Sequence, residues 1–254
     1  MKVIVYKLLM VLFFVCMIFV NYLANALPLN NRSTGAISAD YPSYFTPAGF
    51  TFSIWGIIYL LLGAFIIKAT LISGSDFFNE YPIIFLILFF ITCITNILWL
   101  LLWHYDKILL SSIVMFIFLI ALVWITFYLT DLNNLTRITF SIYTGWLSIA
   151  FIANITILLV KKGILIFQDN QVFWYIAIMI LGVILGLFIL AISRNVLYTL
   201  VYAWAYFGIF MKHFNQSGYH LTNNYNIFNG ILLTLLIIGV SIAFYMNEFS
   251  LFKE

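Results

Sequence analysis

Three apolar runs of this sequence carry tryptophan, tyrosine and asparagine residues at helical spacing. Each set occupies an arc of roughly 60–80° on a helix that turns by about 100° per residue. The three stripes are Phe52, Trp55 and Tyr59; Asn96, Trp99 and Trp103; and Tyr143, Trp146, Ala150 and Asn154. Trp and Tyr join a flat apolar ring to a single hydrogen-bond donor. If the stripes face inward, they line a slot for a flat, mostly apolar ligand.

Two structural interpretations compete with this ligand slot. Tryptophans near the ends of membrane helices often form a belt at the lipid headgroups, and Trp103, beside His104, fits that pattern. Asn96 and Asn154 are neutral polar residues within apolar runs, and such residues commonly hydrogen-bond one helix to another. The sequence leaves both alternatives open.

Several kinds of chemistry are disfavoured by the residues that the apolar runs lack. Their central parts contain no Asp, Glu, Lys, Arg or His, which argues against a proton pump and against paired acid–base catalysis. The three histidines are scattered, Cys16 and Cys93 lie in separate apolar runs, and we expect no metal site. Net charge is only +3 without a basic cluster, so nucleic acid is not an expected partner. The pattern favours a binding protein over an enzyme and requires no cofactor.

The composition predicts the elements that position these stripes. The chain is 65% hydrophobic and 7% charged, so a lipid bilayer must be its solvent. Eight apolar runs qualify against the roughly 20 residues that a membrane helix needs. They cover residues 4–24, 49–71, 82–103, 108–130, 138–160, 172–192, 195–212 and 228–246. We therefore predict an all-α, multi-pass integral membrane protein, and abundant Phe, Ile, Asn, Tyr and Lys suggest a bacterial plasma membrane.

Local signals refine the helix boundaries. Thr46 is the predicted N-cap of the second run and Pro47 its first helical residue, because proline at that position loses no hydrogen bond. The first run has a positive start and a small-residue site at its end, so it is read either as a cleaved signal or, as we favour, as a retained helix. Gly182 and Gly186 form a GxxxG pair, which indicates tight helix packing or self-association.

The same residues resemble a known family. The pattern Pro-x7-Trp-x3-Tyr, formed by Pro47, Trp55 and Tyr59, is similar to the second helix of the translocator protein (TspO/MBR) family, also called tryptophan-rich sensory proteins or peripheral benzodiazepine receptors. Asn96 and Trp99 match its Asn-x-x-Trp element in the third helix. The fifth-helix pattern is matched by Tyr143, Trp146, Ala150 and Asn154. The sequence of the second run resembles that of a longer subgroup with extra C-terminal helices.

The resemblance implies a five-helix TspO-like bundle over residues 1–162, with about three additional transmembrane helices over residues 163–254. It implies a pocket closed by the connection of residues 25–46, a porphyrin or heme-like ligand, and a homodimer as a candidate assembly. The ligand-binding residues it implies are Trp55, Tyr59, Asn96, Trp99, Tyr143, Trp146, Ala150 and Asn154. The function expected is a sensor or transporter for a planar apolar molecule such as a tetrapyrrole.

The sequence departs from the family pattern at several places, among them the start of the second helix and the fourth helix. Thr46-Pro47 stands where the family has Pro-Pro, and the acidic residue common in the fourth helix is replaced near Met115. These differences leave the ligand itself open. Alternative functions are a porphyrin-modifying membrane enzyme, a structural scaffold, or a solute carrier for an unrelated substrate.

Overall fold

In a computed structural model, the described residues of the chain are 2–26, 29–41, 43–74, 76–128, 132–164, 170–214 and 223–245. Within these ranges the chain forms α-helices and short 3-10 turns, with no strand. The helices are α1 (Lys2–Asn25), α2 (Thr34–Ala39), α3 (Ile54–Leu71), α4 (Phe77–Glu80), α5 (Ile83–His104), α6 (Ile108–Tyr128), α7 (Asn134–Lys161), α8 (Gln171–Ser193), α9 (Val196–Phe214) and α10 (Asn223–Tyr245). The all-α prediction is confirmed for this part of the chain.

Seven helices in the described ranges are long and apolar enough to cross a membrane, and the protein is a multi-pass integral membrane protein. They are α1, α3, α5, α6, α7, α8 and α10. The run predicted at 195–212 does form a helix, α9, but it is not among the seven. Tyrosines interrupt its apolar sequence, and Lys212 and His213 stand in its last turn.

The chain divides into two compact units. The first contains Met1–Asp40 and Trp55–Thr144, and the second contains Tyr41–Ile54 and Gly145–Glu254. The chain passes between the units after Asp40, after Ile54 and, inside α7, after Thr144. The predicted division into a five-helix bundle over residues 1–162 and additional helices over residues 163–254 remains a prediction.

An aromatic core organises the first unit. Phe65 of α3 is fully buried. Its ring lies 5.6 Å from that of Phe89, 5.8 Å from that of Phe85 and 5.6 Å from that of Phe140, centroid to centroid. All three contacts are edge-on, an arrangement that aromatic pairs prefer to a face-to-face sandwich. This core holds α3 and α5 against the first half of α7.

The prediction for the start of the second run is wrong in its cap. The helical segment begins with a 3-10 turn at Gly49–Ser53, and its N-cap is Ala48, which makes no side-chain cap bond. The cap predicted at Thr46 would have begun the helix two residues earlier. Instead the Ala48 N–H donates to the carbonyl oxygen of Gly208 at 3.1 Å, in the second unit. A distant backbone acceptor thus replaces the local side-chain cap.

The GxxxG pair of α8 packs against α9 in the second unit. A Cβ at Gly182 would lie 2.2 Å from the hydroxyl of Tyr206, and a Cβ at Gly186 would lie 3.3 Å from the Tyr202 ring. Thr199 also donates to the Gly186 carbonyl at 3.1 Å. The sequence left open whether these glycines serve tight helix packing or self-association. In the structure they provide tight packing within the chain.

Hydrogen bonds satisfy the tyrosines of α9. Tyr206 donates to the carbonyl of Met179 at 2.5 Å, and Tyr202 donates to Ser148 at 3.1 Å. The hydroxyl of Tyr198 lies 3.0 Å from both Ser148 Oγ and the Tyr202 hydroxyl. The tyrosine hydroxyls of α9 are therefore paired with other protein groups.

We expect Gly182→Ala to destabilise the protein. The added methyl group must displace the Tyr206 hydroxyl and so strain its bond to Met179, which costs about 1–3 kcal/mol. The measurement is the unfolding midpoint in detergent. Gly230→Ala on α10 is the matched control, because the nearest heavy atom to its added Cβ, in the Phe210 ring, lies at an ordinary contact distance of 3.8 Å. Equal midpoints for both variants would contradict the packing assignment.

Candidate ligand site

A chain of hydrogen bonds crosses the first unit through four side chains. The Tyr59 hydroxyl donates to Asn21 Oδ1 at 2.5 Å. Asn21 Nδ2 donates to Asn96 Oδ1 at 2.7 Å, and Asn96 Nδ2 donates to the Tyr143 hydroxyl at 3.0 Å. The four residues belong to α3, α1, α5 and α7. We call them the amide–phenol chain, and their bonds link four helices of the first unit.

A group of aromatic rings lies beside the amide–phenol chain. The Trp55 ring is stacked with Tyr59, with centroids 5.6 Å apart and planes at 23°, and with Trp99, at 6.0 Å and 24°. Tyr143 meets Trp55 edge-on at 6.0 Å. We call Trp55, Tyr59 and Trp99 the ring stack. The structure therefore brings together five of the eight residues that the sequence predicted as ligand-binding.

The ring stack is closely packed but not fully enclosed. Two aromatic planes that hold a flat guest between them must separate by about 7 Å, twice the optimal distance of carbon atoms in contact. The observed centroid distances of 5.6 and 6.0 Å are shorter than that. Trp99 is buried at 6% exposure, whereas Trp55 and Tyr59 are only half-buried. The accessible surface of the stack is therefore on Trp55 and Tyr59.

One donor in the ring stack has no acceptor. The indole N–H of Trp99 is buried and makes no hydrogen bond to any residue that the structure describes. An unpaired buried donor costs about 1–3 kcal/mol, so such groups are uncommon in folded proteins. By contrast, Asn96 and Tyr59 use their polar atoms within the amide–phenol chain.

The other three predicted ligand residues belong to the second unit. Trp146 is buried, and its ring packs edge-on against Phe52 with centroids 5.8 Å apart. Asn154 is buried at 3% exposure, and Ala150 is half-buried. Their role in ligand binding remains a prediction.

The connection predicted as a lid is folded in its first half. A 3-10 turn at Leu29–Asn31 and helix α2 lie against the end of α5. His104 has its Nδ1 3.1 Å from the Leu29 carbonyl and its Nε2 3.1 Å from the Thr34 hydroxyl. Trp103 donates to the Thr34 carbonyl at 3.3 Å. Trp103 is thus covered by protein at 4% exposure rather than turned out to a headgroup belt.

The second unit contains a cleft of about 270 Å³, which includes the space open to its surroundings. Its walls come from the segment before the 3-10 turn, the end of α7 and the first turns of α8. The lining residues are Ser43, Tyr44, Phe45, Thr156, Val160, Gln171, Tyr175 and Ile178. None of the eight predicted ligand residues is among them.

Asn21 is the residue of this site that the sequence prediction missed. Its amide connects Tyr59 with Asn96, and its Nδ2 also donates to the carbonyl of Met17 at 2.9 Å. The available signal was a single asparagine near the end of an apolar run. That signal is weak, because an asparagine at the end of a membrane helix is also readily solvated.

Comparison with known families identifies one family for this chain. The model of the TSPO-like protein family matches residues 7–244, most of the chain. The chain belongs to the TSPO-like protein family. No curated protein and no solved structure matches it. The family resemblance drawn from Pro47, Trp55 and Tyr59 is confirmed, and the TSPO-like match extends beyond α7 through α8 and α9 into α10.

We expect Asn21→Leu to destabilise this TSPO-like protein by about 0.6–2 kcal/mol, the range of interhelical hydrogen bonds in membranes. The change removes the acceptor of Tyr59 and the donor to Asn96. Thermal unfolding in detergent measures the effect. Asn25→Leu is the control, because Asn25 is exposed on the same helix and its amide bonds only the Asn21 carbonyl among the described contacts. If the two variants unfold alike, the amide–phenol chain does not stabilise the first unit.

Proposed function

We propose that this protein is a membrane sensor or transporter of TspO type that binds a planar apolar molecule such as a porphyrin. In this proposal, residues 1–162 supply the five-helix ligand-binding part and residues 163–254 the additional helices. The single observation that carries it is the ring stack with the unpaired Trp99 N–H. TSPO-like family membership supports the general class of function but not the ligand.

The ring stack suits a flat apolar guest. Trp55 lies within 24° of parallel to both Tyr59 and Trp99, so the three rings form one stacked array. An additional flat ring gains contact energy by stacking on the accessible side of this array. Binding between Trp55 and Trp99 also becomes available if the two indoles separate.

The Trp99 N–H favours a guest that also carries an acceptor. Pairing a buried donor removes the cost of leaving it without a partner, so a carboxylate or carbonyl oxygen at this point gains affinity. A tetrapyrrole with acidic side chains offers both a large flat ring and such oxygens. This combination makes porphyrins a better expectation than sterols, which lack a flat aromatic ring.

A structural role is the second candidate, and one observation favours it. Each member of the amide–phenol chain has a protein partner, so Asn96, Tyr59 and Tyr143 already hold helices together without a ligand. Under this alternative the ring stack is only an interior packing element. Ligand binding by variants of the stack distinguishes the two functions.

We expect Trp55→Phe to weaken tetrapyrrole binding by roughly tenfold, because a phenyl ring offers less stacking area than an indole. Affinity is measured in detergent from the quenching of tryptophan fluorescence by protoporphyrin, and independently from the shift of its absorption band. The control is Trp124→Phe, an identical change at an indole that is 47% exposed on α6. It should leave affinity unchanged.

The same titration decides between the two candidate functions. Loss of affinity in Trp55→Phe alone supports the ligand site. An unchanged affinity in both variants, or a wild-type protein that binds no tetrapyrrole, leaves the structural role as the better account.

We expect Trp99→Phe to weaken binding of a porphyrin with carboxylate side chains by roughly three- to tenfold, the size of one lost hydrogen bond. A porphyrin with only alkyl substituents should lose less affinity in the variant, because it has no side-chain acceptor for the indole and loses only stacking area. Parallel absorption titrations with the two porphyrins make the comparison. An equal loss for both porphyrins would mean that Trp99 contributes stacking and not a hydrogen bond.

A further inference from the structure

The backbone that leads into α3 is fastened to α9 within the second unit. The Ala48 N–H donates to the Gly208 carbonyl at 3.1 Å. The Trp204 indole donates to the Thr51 carbonyl at 2.9 Å. Both bonds use backbone atoms of the segment around the 3-10 turn, so they fix the position of the chain itself rather than of a side chain.

Close packing reinforces these bonds. A Cβ at Gly208 would lie 1.9 Å from Thr51 Oγ1 and 2.9 Å from Thr51 Cβ, so only glycine fits at this position without a shift. Phe50 adds edge-on ring contacts with Trp204 at 5.6 Å and Phe207 at 5.9 Å. Thr51 is fully buried as a result.

The fastened segment continues directly into the helix that carries the ring stack. The 3-10 turn ends at Ser53 and α3 begins at Ile54. Trp55 is the second residue of α3, and Tyr59 follows one turn later. The rise of about 1.5 Å and the rotation of about 100° per residue fix where Trp55 and Tyr59 lie relative to the start of α3. If the backbone at that start is displaced, both rings are therefore expected to move or rotate with it.

We propose that Trp204 and Gly208 are positioning residues for the ligand site, and that α9 sets the placement of Trp55 and Tyr59 through the 3-10 turn. Neither residue touches the ligand in this proposal. It rests on the proposed function for its effect on binding, but its effect on Trp55 can be measured without any ligand.

The first test is Trp204→Phe, which removes the indole donor and keeps an aromatic ring. The protein is labelled with fluorotryptophan, and the fluorine NMR signal of Trp55 is assigned by its loss in Trp55→Phe. We expect the ligand-free Trp55 signal to shift or broaden in Trp204→Phe, and protoporphyrin affinity to fall roughly three- to tenfold. Trp174→Phe, at a half-buried indole of α8, is the control and should change neither measurement.

The second test uses the close contact at Gly208. Gly208→Ala should shift the Trp55 signal as Trp204→Phe does, because the new methyl group pushes Thr51 away. Adding Thr51→Ala removes the two atoms nearest to that methyl group and leaves the Cβ contact at 2.9 Å, so it should restore the Trp55 signal in part. Rescue by a second truncation is not expected from general destabilisation.

The outcomes separate this proposal from the proposed function. A Trp55 signal and an affinity unchanged from wild type in both Trp204→Phe and Gly208→Ala overturn the positioning role, even if Trp55→Phe loses binding. A wild-type protein that binds no protoporphyrin overturns the proposed function, while the ligand-free Trp55 signal still decides the positioning role. If Gly208→Ala does not fold, Trp204→Phe alone decides it.

Discussion

The interior of this protein depends on the rule that a polar group inside a membrane must find its partner within the protein. In the first unit that rule is met by the amide–phenol chain, which joins α3, α1, α5 and α7 through Asn21 and Asn96. Asn96 is fully buried, and both of its side-chain polar atoms are used. The chain also fixes the rotation of each helix, because an asparagine turned toward lipid would lose these bonds. The ring stack lies on α3 and α5, two of the helices that this chain joins, so the orientation of its rings is fixed by the same bonds.

The same rule explains why α9 can be helical and largely buried without being strongly apolar. Tyr202 and Tyr206 place their hydroxyls against Ser148 and the Met179 carbonyl, and Gly182 leaves the space that the Tyr206 hydroxyl occupies. Each tyrosine thus brings a large ring for packing and a polar atom that is satisfied on a neighbouring helix. A hydropathy average registers the polar atoms but not the bonds that pair them.

Hydropathy and helical periodicity together predicted much of the fold and part of the site. Hydropathy located the membrane helices, and a rotation of about 100° per residue placed Trp55, Asn96 and Tyr143 on faces that do meet. It could not identify Asn21, because one asparagine in an apolar run gives no information about its partner. The cap at Thr46 failed for a related reason: local propensity favours it, but a carbonyl some 160 residues away, that of Gly208, holds Ala48 instead.

The start of the helical segment that leads into α3 is therefore determined by distant parts of the chain and not only by its own sequence. The turn before α3 is bonded to α9 through Thr51 and Ala48, so residues beyond α7 help to determine where the second predicted run begins. A five-helix segment without α9 would lose the Gly208 acceptor and the Trp204 donor and would have to cap this turn in another way. The TSPO-like family model, which extends to residue 244, includes both of these partners. In this longer type of chain, a C-terminal helix thus supplies the bonds that hold the turn before α3.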